Sequence, residues 1–418
     1  MGFNNASRYC KNLTSIEIPD SVTKIGGKAF ADCGSLTSVK LPSSIKEIGG
    51  YSFCRCDSLS SIEIPNSVIK LGEGAFCDCG ELTSVVIPDS VKKIEDFSFS
   101  GCSRLTNIAI PSSVTKIGHC SFFRCNSLKS IDIPNSVTEI GTCAFEDCSS
   151  LTSIEIPDLV TKIEGEAFRG CSSLTSVKIP SSIKELGSQA FSDCSSLISI
   201  EIPDLVKEIK DLTFSGCSRL TNIKIPSSVT KIGYCSFHGC NSLKSIDIPN
   251  SVTEIGTRAF EDCSSLTSIE IPDSVKEIKD GAFTGCSSLT SVKIPSSIKE
   301  LGSEAFSDCS SLTSIEIPDS VKEIKDGAFA GCSSLTNIRI PSSVTKIGHY
   351  SFMGCNSLKS IVFPNSLMEF GENVFVCFTD EGRIPHGAAL QQIIVPFGTT
   401  KKFEKLLDKE LHHLIVEK

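Results

Sequence analysis

Proline stands at positions 19, 42, 65, 88, 111, 134, 157, 180, 203, 226, 249, 272, 295, 318, 341 and 364, an unbroken step of 23. Phenylalanine keeps the same step from Phe30 to Phe375, and cysteine from Cys10 to Cys355. A fixed period between about 20 and 50 residues marks a chain of stacked coils, because no single unit can bury its apolar face alone. Strands stacked about 4.8 Å apart over sixteen full units and a seventeenth variant one predict a rod or arc on the order of 80 Å long.

The unit reads L-x-x-I-x-I-P-x-x-V-x-x-I-G-x-x-A-F-x-x-C, seen first in Leu13, Ile16, Ile18, Pro19, Val22, Ile25, Gly26, Ala29, Phe30 and Cys33. Ile16 and Ile18 alternate with Ser15 and Glu17, the period-2 pattern of a short strand with one buried face. Pro19 has no N–H and ends pairing there, and the Asp, Ser or Asn that follows supplies turn chemistry. Val22 and Ile25 then return to the core, Gly26 permits a tight bend, and Ala29-Phe30 forms the far wall. A longer period of 115 residues, five coils, lies on top: "SRLTNIAIPSSVTKIGHCSF" from Ser103 returns from Ser218 and again, with changes, from Ser333. Block duplication of five-coil cassettes explains it.

This unit resembles the 23-residue BspA-like, Treponema-type, class of leucine-rich repeat over roughly residues 1 to 396. The resemblance implies a right-handed leucine-rich-repeat solenoid with a parallel β-sheet on its concave face and short strands or turns on the convex side. It also implies non-catalytic protein binding, as a microbial surface adhesin or antigen that contacts host matrix or cells, at the cell surface or secreted. An intracellular protein-protein interaction scaffold is the alternative, favoured by the lack of a visible signal peptide and by the many thiols.

Two domains are expected: the solenoid, 1–396, with an incomplete first coil and an insertion near 376–389, and a C-terminal capping helix, 397–418. Phe403, Leu407, Leu411, Leu414 and Ile415 fall at helical spacing, with Thr399 or Thr400 as N-cap, and a solenoid must cover its last open core. At the front, Ala6 sits in the alanine column and Ser7 replaces the phenylalanine. Either Phe3 and Tyr9 cover this edge, or an upstream segment belongs there. The sequons Asn5-Ala-Ser7 and Asn12-Leu-Thr14 have meaning only in a secretory pathway. No apolar run approaches the roughly eighteen residues of a membrane span.

A formal charge of −9 spread over the chain offers no basic stripe for phosphates, so nucleic-acid binding is not expected. No Ser-His-Asp set, recurring carboxylate pair or phosphate loop is present in sequence, so neither catalysis nor a cofactor is expected. The repeat cysteines stack in register with parallel Cα–Cβ vectors, which works against disulfides. They are expected to be buried, inert packing residues. Six cysteines lie off that column, at 54, 77, 120, 143, 235 and 377. Cys54 over Cys77 and Cys120 over Cys143 are neighbours able to oxidise. Cys54, Cys56, Cys77 and Cys79 look superficially like a zinc set, but two belong to the packing column, so no metal site is expected. His119, His238 and His349 are expected in solvent.

The solvent side of the strand is the candidate ligand surface. Its stripe runs Glu17, Lys40, Glu63, Val86, Ala109, Asp132, Glu155, Lys178, Glu201, Lys224, Asp247, Glu270, Lys293, Glu316, Arg339 and Val362. Opposite charges about 5 Å apart on adjacent strands attract and like charges repel. The stripe thus reads either as a self-satisfied charge zipper or as a polar face for a protein ligand.

Overall fold

The computed structural model describes residues 2–3, 10–379, 382–384 and 389–418. Two compact units, Met1–Val206 and Lys207–Lys418, repeat one coil design with three hydrogen-bonded sides.

The first side is the expected strand. Ser15–Glu17, Ser38–Lys40, Ser61–Glu63, Ser84–Val86 and Asn107–Ala109 each bear an inward residue between two exposed ones. Pairing is parallel and in register, Ser15 with Ser38, Ile16 with Val39 and Glu17 with Lys40. In-register parallel stacking follows from the exact 23-residue period, because each column then meets itself.

The second side is a two-residue strand that places isoleucine or leucine inward and lysine or glutamate outward: Lys24–Ile25, Glu47–Ile48, Lys70–Leu71 and so on. Many of its outward charges meet an opposite charge in the next coil, although Lys93 faces Lys116 and Glu300 faces Glu323. Glu47 lies 2.9 Å from Lys24 and 3.4 Å from Lys70, and Lys116 lies 2.7 Å from Glu139. Hydrogen bonds from its two lysines hold the Glu47 carboxyl below its ordinary range. Between the two sides, the serine after most proline turns donates its hydroxyl to a carbonyl of the previous coil, as Ser67 does to Ile45 O at 2.6 Å; Leu159 and Leu205 take its place in two coils.

The third side carries the phenylalanines. Within the first unit consecutive rings from Phe30 to Phe191 stack 5.3 to 5.7 Å apart and nearly parallel, and the second unit repeats this from Phe214 to Phe375. Backbone N–H groups here alternate between two jobs. Ala29 and Ala31 donate within their own coil to Gly26 O and Lys28 O, whereas Lys28, Phe30 and Asp32 donate to Gly50 O, Ser52 O and Cys54 O of the next. That alternation requires two left-handed residues per coil, here Lys28 (φ 58°) and Asp32 (φ 61°). Glycine often takes these places, yet Tyr51, Phe97, Cys120 and Leu212 also do so. Inter-coil bonds outweigh the local preference. The glycine after the second strand serves close approach: a Cβ on Gly49 would lie 2.7 Å from the backbone of Gly26.

Each thiol of the repeat column points inward and donates to the carbonyl of the preceding coil's phenylalanine: Cys56 to Phe30 O at 3.3 Å, Cys102 to Phe76 O at 3.2 Å, Cys286 to Phe260 O at 3.2 Å. Burial raises these thiols, Cys56 and Cys102 to about 12. The column is therefore both packing and a ladder of S–H···O bonds. Its first two members differ: Cys10 is exposed, and Cys33, before which Ser7 holds the phenylalanine position, donates to Ala31 O of its own coil at 3.9 Å.

The ends depart from the simple expectation. The C-terminal helix is short, Thr400–Leu406, followed by a 3-10 turn, Lys409–Leu414, and a strand, Ile415–Glu417. That strand joins the first-side sheet beside Gln392–Val395, which itself pairs with Ser360–Val362. The expected single helix breaks at Leu407, whose backbone is extended. Phe403 stacks on Phe363 at 6.0 Å and seals the last core layer. Thr399 is the N-cap by position but makes no side-chain cap bond. Instead Glu417 Oε1 accepts from Thr400 N at 3.0 Å and from Thr400 Oγ1 at 2.6 Å.

Part of the expected insertion is a hairpin, Cys377–Thr379 antiparallel to Gly382–Ile384; residues 380–381 and 385–388, including His386, lie outside the described residues. At the front, Gly2–Phe3 pairs with Lys24–Ile25 and extends the second side. Ala6, Ser7, Tyr9 and the sequon at Asn5, like the side chain of Phe3, also lie outside them.

Candidate functional site: the strand face and its two clefts

On the stripe of the first side, three lysines each bond the glutamate one coil before. Lys40 reaches Glu17 at 2.6 Å, Lys293 reaches Glu270 at 2.8 Å, and Lys178 bonds Glu155. All six side chains are 67 to 75% exposed, so each pair is weak by general experience with surface ion pairs. Among the described residues the stripe carries no further ion pair. Glu63 faces Val86 in register, and Val86 faces Ala109. The closer zipper is the one on the second side.

The stripe also opens. Residues 130–133 and 245–248, the strand positions of two coils one cassette apart, form no ladder. Beside each lies a cleft. One, in the first unit, has a volume of about 620 Å³ and is lined by Ser130, Asp132, Asn135, Ser153, Glu155 and Lys178, among others. Its counterpart in the second unit has about 740 Å³ and is lined by Ser245, Asp247, Asn250, Ser268, Glu270 and Lys293. Ile133 and Ile248 are half-buried here, whereas Ile64, Ile87 and Ile110 of regular coils are buried.

Both openings share one electrostatic feature. In both places an aspartate stands directly before a glutamate, Asp132 before Glu155 and Asp247 before Glu270, where like charges oppose pairing. The third copy of the same coil has Val362 in that position, and its strand pairs on both sides. A smaller opening of about 280 Å³ between Glu316 and Arg339 shows that like charge is not required for one. Each lysine already serves its glutamate, and among the described residues Asp132 and Asp247 join no ion pair. Each cleft thus combines serine hydroxyls, an asparagine amide, one occupied ion pair and one available carboxylate over an isoleucine floor.

The sequence around the clefts is duplicated with one change, Ser274 at the larger cleft where the first cassette has Leu159. Between the cassettes 103–217 and 218–332, eighteen positions differ, yet residues 125–142 and 144–158 match 240–257 and 259–273 throughout. Along the stripe the sole change is Ala109 to Lys224. Most other changes fall on the second and third sides, at His119, Phe123, Arg124, Cys143, Glu166 and Arg169 among them.

On the third side of the first unit, Cys54 and Cys77 form a disulfide across coils whose Cα atoms are 4.7 Å apart. Cys56 and Cys79 point into the core instead, so the four sulfurs of the C-x-C pairs do not converge. The histidines are less solvated than expected. His119 and His238 are half-buried, and His238 Nε2 lies 3.8 Å from both Glu261 and Asp262. His349 is exposed and accepts from Glu372 N at 3.0 Å.

The family model for the BspA type leucine-rich repeat region, six copies long, matches residues 3–129, 70–198, 138–267, 207–332 and 253–380. Among solved structures, a leucine-rich repeat protein from Bacteroides ovatus is 35% identical, with a TM-score of 0.76, over 86% of this chain and 92% of that one. A leucine-rich cell surface protein from Faecalibacterium prausnitzii is 30% identical, with a TM-score of 0.50, over 83% and 87% of the two chains. No protein of curated function matches. Among the described residues, no helix is long and apolar enough to cross a membrane.

Proposed function

Because the chain belongs to the BspA-type leucine-rich repeat family, we propose that it is a non-catalytic protein-binding solenoid whose ligand docks on the strand face, at the surface of a microbial cell. One observation carries the reading: a matching polar cleft, alike in sequence save Ser274 in place of Leu159, occurs in each unit of the chain. The available Asp132 and Asp247 favour a polar segment that presents a lysine or arginine, and the serine and asparagine groups around them supply hydrogen bonds. Two equal sites suit a repetitive or multivalent ligand, since linked sites raise apparent affinity without new contacts. The Faecalibacterium relative's description as a cell surface protein supports the location.

Two measurements test it. Antibody staining of intact against permeabilised cells should label intact cells; label only after permeabilisation would move the protein inside and favour a scaffold. Binding to a panel of immobilised extracellular-matrix proteins should select at least one, and weaken when Asp132→Asn and Asp247→Asn are combined. Binding that ignores both changes would place the ligand elsewhere.

A further inference from the structure

The third side of the first unit holds a cluster that neither the repeat nor the ligand face uses. One ring nitrogen of His119 and the sulfurs of Cys120 and Cys143 lie within 4.8 Å of one another, with His119 Nε2 3.3 Å from Cys120 Sγ. The Cys143 sulfur also lies within 4.8 Å of carboxylate oxygens of Glu146 and Glu166. We propose that His119, Cys120 and Cys143, with Glu146 or Glu166 as the fourth ligand, form a site for a borderline-soft divalent ion such as zinc.

The geometry fits the ion. A tetrahedron with Zn–S bonds of about 2.3 Å and Zn–N bonds of about 2.0 Å has edges of roughly 3.3–3.8 Å, so His119, Cys120 and Cys143 need to close by little more than an ångström, while the glutamate, grouped with Cys143 alone, must swing further to complete the set. The chemistry fits as well: two thiolates neutralise a divalent ion, and one neutral imidazole completes a borderline-soft set. Backbone and neighbours hold the ligands in place. Cys120 and Cys143 occupy the left-handed position of consecutive coils, φ 49° and 55°, and Cys120 N donates to Thr142 O across the gap at 2.9 Å. The His119 backbone N–H donates to Asp96 Oδ1 at 2.8 Å, and its ring packs edge-on against Phe97 at 5.2 Å. Arg169 bonds Glu146 at 3.2 Å and Glu166 at 3.0 Å, so whichever carboxylate ligates must exchange its bond to Arg169 for the ion while the other keeps it. Both sulfurs are buried in the apo protein, so metal entry releases their protons and binding tightens as pH rises.

The cluster is built once. In the next cassette Cys235 repeats Cys120, but Tyr234, Arg258, Gly281 and Thr284 stand where the first has His119, Cys143, Glu166 and Arg169. Four of the eighteen differences between otherwise duplicated blocks thus coincide around one thiol.

Titration of the reduced full-length protein with Co²⁺ in the absence of oxygen tests the site. Expected is one tightly bound ion per chain, with thiolate-to-cobalt charge transfer and tetrahedral d–d bands, displaced by Zn²⁺. Cys143→Ser should abolish the charge-transfer band or weaken affinity at least a hundredfold, His119→Ala should weaken it at least tenfold with that band retained, and Cys235→Ser should change nothing. The proposal is overturned by the absence of stoichiometric uptake, or by uptake that survives Cys143→Ser and disappears in Cys54→Ser. It is equally overturned if protein purified without reductant carries a Cys120–Cys143 disulfide that persists when zinc is supplied during expression.

Discussion

The thiol of Cys79 donates to the carbonyl oxygen of Phe53, in the coil before it, at 3.1 Å. The same bond recurs at a spacing of 26 residues through both units, and it turns the cysteine column into a hydrogen-bonded ladder along a largely apolar core. Labelling under denaturing, non-reducing conditions should therefore find one disulfide, Cys54–Cys77, and free thiols elsewhere. In the native state Cys10 should alkylate readily while Cys79, Cys102 and Cys125 resist. Extensive disulfides or fast native alkylation of the column would contradict the ladder.

Alkali should unfold the chain. Cys56 and Cys102 titrate near 12 when folded against about 8.5 in an unfolded chain. A raised thiol stabilises the fold fully below the unfolded value, and that contribution is lost as pH climbs toward the folded one. Melting temperature should fall progressively between about pH 9 and 12, and less steeply when several column cysteines are replaced by alanine. Each such replacement should itself cost about 1–2 kcal/mol at neutral pH, from the lost bond and the small cavity.

The phenylalanine stack is the larger energetic element. Phe168 is fully buried between Phe145 and Phe191 at 5.6 and 5.5 Å. Phe168→Ala should destabilise by about 3–5 kcal/mol, read from denaturant unfolding, and Phe168→Leu by clearly less. Because coils interact mainly with their neighbours, hydrogen exchange should rise most at adjacent coils.

Glu417 closes the C-terminal end. Bonds from Thr400 hold its carboxyl below the ordinary range, so its contribution is present above the unfolded pKa and is lost as pH falls through the folded one. Glu417→Ala should speed amide exchange at Ile415, Val416 and the first turn of the helix. Unchanged exchange would show that Phe403 on Phe363 suffices as the seal.

The period, the strand, the proline stop and the buried phenylalanine, cysteine and leucine columns were legible because each has one address per coil. The two left-handed columns were not. Lysine, tyrosine and phenylalanine occupy them against local preference, and only the hydrogen bonds between coils impose that geometry. The second ladder was half visible: Ile25 read as a core residue, but Lys24 and Glu47 did not read as a charge zipper. The stripe from Glu17 was legible residue by residue, yet its clefts lie where strand pairing lapses, which single residues do not show. The adjacent acids Asp132 and Glu155 were the signal. The short terminal helix followed from a turn at Leu407 that helical spacing cannot reveal, and the cap from Glu417 spans residues distant in sequence.

The strand-face assignment has one direct test. Wild type and an Asp132→Lys, Asp247→Lys double variant are compared by surface plasmon resonance against whichever matrix protein the panel selects, with Arg124→Glu on the third side as control. Both aspartates are exposed and, among the described residues, join no ion pair, so melting temperatures should hardly change. Expected is at least a tenfold loss of affinity in the double variant and none in the control. Equal binding by all three, or loss in the control alone, would contradict a strand-face site.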